Sequence, residues 1–182
     1  AVAVAAGRAA PLSVLVDVAV GLPRCGCAPD DAGRLAEAAR AGGLEVRGVM
    51  GYEGHVVGNP DRAWRAEQTA ASMAMLRRAH DDVGGDITSA GGTGTYDLHD
   101  WVGEVQAGSY VLMDTHYQQL GLPFRPALRV AATVVSVHLG DDGAWAVADA
   151  GLKCFGMDHG EPTVEGHTIF FTSDEHVTFL PA

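Results

Sequence analysis

Residues 12–20, LSVLVDVAV, form a nearly continuous apolar run rich in β-branched side chains, the pattern of a strand buried on both faces. After the loop GLPRCGCAP, the stretch DDAGRLAEAARAGG (30–43) predicts a helix. Asp30 or Asp31 serves as its cap and Gly42 or Gly43 as its stop. LEVRGVMGY (44–52) predicts a second strand and EGHVVGN (53–59) a loop. Asn59 followed by Pro60 then opens a long helix to about Asp82, a side-chain cap with proline in the first turn. Trp64, Ala71, Met75 and Ala79 share one face of that helix, with Trp64, Met75 and Ala79 expected in the core. DITSAGG (86–92) predicts a short third strand, and VGEVQAGSYVLMD (102–114) carries a fourth.

Strand, loop, helix in repetition is the pattern of βαβ units on a parallel sheet. Four such strands make half of a (β/α)8 barrel or a small open sheet. From Phe124 the pattern changes. ALRVAATVVSVHL, AWAVADAGL and HTIFFTSDEHVTFL are β-rich runs separated by GDDG and HGEPTVEG, with no helical period between them. This predicts a second, antiparallel module. The boundary is expected in LGLPFRP, so that residues 1–123 form an α/β domain and 124–182 a β-rich one.

Composition narrows the partners. The 182 residues carry a formal charge of −11, which argues against a nucleic-acid backbone or an anionic membrane as the main partner. No apolar run reaches the roughly 20 residues of a membrane helix, and the opening AVAVAAGRAA lacks the basic start of a signal peptide. Cys25, Cys27 and Cys154 are odd in number and stand at no zinc-like spacing, so reduced thiols in a cytoplasmic protein are expected. An opening that reads as the last turns of a helix, and a close on the extended VTFLPA, suggest a piece of a longer protein.

If the four strands are parallel neighbours, the loops that follow them converge at one edge of the sheet, where barrel enzymes keep their sites. The first loop offers Asp17 and Arg24, and the second Tyr52, Glu53 and His55. The third offers Ser89–Tyr96, and the fourth Glu104, Gln106, Ser109 and Tyr110. An arginine, a histidine, an amide and the glycine and hydroxyl run SAGGTGTY suit a flat, phosphorylated ligand better than a metal. Each has a plainer reading. Arg24 serves equally as a solvated charge, His55 as a structural histidine and Gln106 as a surface amide. Gly91, Gly92 and Gly94 either let a strand reverse or bare their N–H groups to an anion. The acidic turn DEH at 174–176 is expected to be solvated.

Taken in order, VDVAVGLPRCG, GYEGH, SAGGTGTY, EVQAGSYVLMD and DAGLKCFGMDHG resemble the D-threonine aldolase and D-serine dehydratase group of pyridoxal 5'-phosphate enzymes, which shares its barrel with alanine racemase. The resemblance runs over nearly the whole chain. It implies the second half of an alanine-racemase-like (β/α)8 barrel followed by the family's β domain. It implies a lyase acting on D-amino acids, by D-threonine aldolase-type Cα–Cβ cleavage or, alternatively, by D-serine dehydration. Arg24 would lie near the cofactor's phenolic oxygen or the substrate carboxylate, and His55 against the pyridine ring. Gly92, Thr93, Gly94 and Thr95, with Gly108, Ser109 and Tyr110, would hold the phosphate. Gln106 would meet the ring nitrogen, where a neutral amide leaves that nitrogen less protonated than a carboxylate would.

The resemblance also implies a divalent metal (manganese, magnesium or zinc), with ligands outside this chain, and either a homodimer or a second chain completing the barrel. Such enzymes need a lysine to form an imine with the cofactor, and the family carries it on the first barrel strand. Here the single lysine is Lys153, in the β module. That motivates a reading from another class: a non-catalytic cofactor-binding or assembly piece that keeps the phosphate cradle.

Overall fold

A computed structural model describes residues 11–141, 143–158 and 160–180. The chain divides into two compact units after Tyr110, ahead of the boundary expected near Pro123. In the first unit, β1 (Ser13–Asp17), β2 (Glu45–Gly51), β3 (Ile87–Ala90) and β4 (Glu104–Val105) pair in parallel, in chain order. Sequential parallel order is the arrangement of a barrel arc. It brings the ends of β1 to β4 to one edge, as the loop pattern required.

Two helices cover this sheet. α1 (Ala32–Ala41) follows a short turn at Pro29–Asp31. Asp31 occupies the capping position, but its carboxylate bonds Arg34 instead of the backbone. α2 (Arg62–Val83) is capped by Asp61, whose side chain accepts from Ala63 N at 2.8 Å and Trp64 N at 3.1 Å. The expected cap, Asn59, instead accepts the Asp61 N–H at 2.8 Å and so shapes the approach.

The buried face of α2 also differs from the expected stripe. Arg65, Thr69, Ser72, Met73, Leu76, Ala79 and Val83 are buried, whereas Ala71 and Met75 are exposed and Trp64 is only half-buried. The reason is chemical. Three polar side chains occupy the inner face. The Ser72 hydroxyl donates to Val20 O at 2.8 Å and the Arg65 guanidinium to Asn59 O, which offsets part of the cost of burying them, while Thr69 Oγ1 and Arg65 Nε have no partner among the described residues.

The core cluster joins Val16, Val18 and Val20 to Val46, Val49, Met73, Leu76, Ala79 and Val83. Alternate residues of the first strand region are buried and those between them half-buried. The run is therefore shielded more strongly on one face than continuous apolarity implied. Gly48, at φ +146°, lets β2 and β3 approach closely, because a Cβ there would lie 1.9 Å from Ile87 O.

The second unit is antiparallel, as expected. β5 (Val134–Gly140), β6 (Gly143–Ala148), β8 (Val177–Leu180) and β7 (Thr168–Thr172) lie in that order. A short helix, α3 (Thr115–Gln118), begins at Asp114, which caps Tyr117 N at 2.7 Å. Residues 174–176 form an exposed turn, where Glu175 pairs with Lys153.

Candidate functional site

The site is built at the carboxyl edge of the parallel sheet, and neighbouring loops are tied to one another there. Between the first and second loops, the Arg24 guanidinium stands 5.4 Å from the centre of the Tyr52 ring. The His55 ring lies against Gly21, so closely that a Cβ at Gly21 would sit 2.6 Å from it. Burial raises the Tyr52 phenol above its ordinary pKa, the Glu53 charge adds to the rise, and Arg24 opposes it.

Between the second and third loops, two glycines of the turn are required by packing. A Cβ on Gly94 would lie 1.7 Å from Val57 O, and one on Gly92 would lie 2.9 Å from a Val57 methyl and 3.1 Å from the Tyr52 ring. The third and fourth loops are joined by the Tyr110 N–H, which donates to Thr93 Oγ1 at 3.0 Å. Gly108 faces open space, with nothing within 4 Å of where its Cβ would be.

At the centre lies Glu53, fully buried. Its carboxylate accepts from Gly91 N at 3.1 Å, Thr95 Oγ1 at 2.6 Å and His99 Nε2 at 3.0 Å. Burial by itself would raise this carboxyl. The hydrogen bonds from His99 and Thr95, with a backbone bond and the His99 charge, outweigh it and hold the group below its ordinary value. An ionised carboxylate only accepts, so the Thr95 hydroxyl hydrogen belongs to Glu53. The Thr95 oxygen in turn receives Gly92 N–H at 3.1 Å.

A second chain of bonds starts at Glu104. Its carboxylate accepts from Ser89 Oγ at 2.5 Å, and Ser89 Oγ accepts from Gln106 Nε2 at 3.0 Å. The acceptor-only carboxylate fixes the polarity of the chain, and the Gln106 amide therefore turns its nitrogen to the buried Ser89.

The test for a phosphate group is which backbone donors remain. Gly91 N–H, Gly92 N–H, Thr95 N–H and Tyr110 N–H all have acceptors. Those of Thr93, Gly94, Gly108 and Ser109 have none among the described residues. Donors without acceptors beside a glycine that faces open space match an anion's needs. For a metal the donor set does not fit: no group of three or more His, Cys, Asp or Glu side chains that could hold an ion occurs among the described residues.

All the anticipated residues fall at this edge of the sheet. Arg24 and His55 are exposed, Gly92 to Thr95 are buried, and Gln106 is half-buried with Gly108, Ser109 and Tyr110 exposed beside it. Sequence reasoning offered Glu53 without a role and passed over His99 entirely. The two are 46 residues apart, and no spacing pattern announces such a pair. Among the described residues, no helix is long and apolar enough to cross a membrane.

The family model for the alanine racemase N-terminal domain matches residues 1–116. D-threonine aldolase of Arthrobacter sp is 37% identical over 186 residues, covering 92% of this chain and 48% of that protein. 3-hydroxy-D-aspartate aldolase of Paracoccus denitrificans (strain Pd 1222) is 30% identical over 190 residues, covering 91% and 48%. The crystal structure of D-threonine aldolase from Filomicrobium marinum superposes with a TM-score of 0.85 at 27% identity, covering 94% of this chain and 50% of that one. The chain thus spans about half the length of the curated relatives it matches.

Proposed function

Since this chain belongs to the alanine racemase N-terminal domain family and shares its fold, we propose that it is part of a pyridoxal-phosphate-dependent lyase acting on D-3-hydroxy amino acids. The reaction is Cα–Cβ cleavage of the D-threonine aldolase type, giving glycine and an aldehyde. The observation that carries this reading is the set of backbone donors without acceptors at Thr93, Gly94, Gly108 and Ser109.

In this reading those N–H groups hold the phosphate. They are neutral dipoles held by the fold, which bind an anion without needing a basic chain overall. When bound, the cofactor supplies an electron sink for the carbanion left at Cα. The Gln106 amide, with its nitrogen committed to Ser89, meets the ring nitrogen as a neutral partner. The His55 ring, exposed and backed by Gly21, stacks on the pyridine. Arg24, lying over Tyr52, binds the substrate carboxylate or the phenolic oxygen. No step is assigned to a metal, since the described residues form no ligand set. The free thiols of Cys25, Cys27 and Cys154 support a cytoplasmic setting, and exposed Leu139 and Phe170 support a homodimer or a second chain.

One observation favours the non-catalytic reading. The single lysine, Lys153, is exposed and paired with Glu175, in the unit that does not carry this site. One experiment separates the two. The protein is mixed with pyridoxal phosphate, offered D-threonine and D-serine, then reduced with borohydride and weighed. Glycine with acetaldehyde, together with a pyridoxyl adduct, supports the aldolase; pyruvate with ammonia supports the dehydratase. Reversible binding with neither product nor adduct supports the cofactor-binding piece. Absence of any binding overturns all three.

A further inference from the structure

The buried carboxylate of Glu53 is out of place in a turn that takes an anion, unless it has a task there. Burying a charge is costly, and an apolar residue would fill the same space more cheaply. The pattern of its bonds supplies the task. Gly91 N–H goes to Glu53 directly and Gly92 N–H reaches it through Thr95 Oγ1. The next two N–H groups along the chain, those of Thr93 and Gly94, have no acceptor among the described residues. The carboxylate therefore takes two donors of one short turn and leaves the next two. His99, whose side chain is itself buried, donates to the same Glu53 oxygen as Thr95. Its ring also lies against the turn, since a Cβ on Gly91 would sit 2.7 Å from His99 Nε2.

We infer that Glu53, braced by His99, is a positioning residue for anion binding: it anchors the base of the Gly91–Thr95 turn so that the N–H groups of Thr93 and Gly94 are left for a phosphate. This rests on the reading of the turn as the phosphate site. Glu53 touches neither cofactor nor substrate and acts only through the turn. An uncharged isostere cannot replace it, because Glu53→Gln puts an amide donor among three donors and leaves at least one of them unmatched.

The test compares pyridoxal phosphate with pyridoxal, which lacks the phosphate, by tryptophan fluorescence quenching of the protein and of Glu53→Gln. Inorganic phosphate serves as competitor. The expected result is a loss of about tenfold or more in affinity for pyridoxal phosphate, the effect of one charge-assisted hydrogen bond. Pyridoxal affinity should change by less than about twofold, since no phosphate contact is involved. Amide exchange at Gly91 and Gly92 should accelerate with it.

A general loss of structure would instead weaken both ligands alike, and that outcome overturns the inference. So does an unchanged affinity for pyridoxal phosphate. If Glu53→Gln does not fold, Thr95→Val and His99→Gln each remove one bond to the same oxygen and are read by the same phosphate-selective loss. The underlying reading fails separately: the unaltered protein would then bind pyridoxal phosphate no tighter than pyridoxal, and inorganic phosphate would not compete.

Discussion

The two units use their polar and apolar residues in opposite ways. In the first, the parallel sheet and its helices bury Glu53, Arg65, Thr69, Ser72, Ser89, Thr93 and Thr95 beside a core of valines, leucine and methionine. In the second, Val135, Val137 and Leu139 of β5 and Phe170 of β7 are exposed, Leu139 at 81% and Phe170 at 72%. Hydrophobicity alone therefore does not locate the candidate site. The candidate site gathers where polar groups are drawn inside and Glu53 is matched, acceptor to donor, by Gly91, Thr95 and His99. In the proposed reading, the exposed apolar strands are the surface that a second chain covers. A buried, fully bonded carboxylate is the more informative feature, because each of its bonds restrains a neighbour.

Five experiments break or sharpen this contrast. Glu53→Ala, which strands three donors, the His99 ring among them, is expected to destabilise the first unit by about 3–5 kcal/mol, measured by urea unfolding. The pH dependence follows from the same group. Its folded value lies below the ordinary 4.5, so its stabilisation is complete above about 4.5 and is lost as pH falls through the folded value. The stability gap between the unaltered protein and Glu53→Gln should accordingly narrow on acidification. A gap that is constant from pH 7 to pH 3 would show that folding leaves the Glu53 carboxyl unshifted, and a gap that widens on acidification would show that it is protonated when folded.

Leu76→Ala removes a fully buried side chain from the face of α2 and should cost about 3 kcal/mol, whereas Met75→Ala, one residue away and exposed, should cost much less. A reversal of that order would restore the stripe expected from periodicity. Asp61→Ala removes the cap of α2 and should cost about 1 kcal/mol, with Asn59→Ala costing less by calorimetry. Smallest of all, Leu139→Thr should change stability by no more than about 0.5 kcal/mol. A larger loss, dependent on protein concentration, would mean that the β5 surface is covered in solution.

Read alone, the chain determined its order of elements, its parallel-then-antiparallel division and the edge on which the site lies. These follow from local periodicity and from glycine and proline punctuation, which neighbours in sequence decide among themselves. The motifs GYEGH and SAGGTGTY likewise marked the loops that meet. Tertiary structure alone decided which side of α2 faces inward, because Arg65 and Ser72 are polar by type and are accommodated in the core by Asn59 O and Val20 O. It also decided that Gly92 and Gly94 are small on account of Val57 and Tyr52, and that Glu53 and His99 meet. Periodicity registers what a side chain is. Hydrogen-bond partners arriving from 38, 42 and 46 residues away register only where the fold puts it.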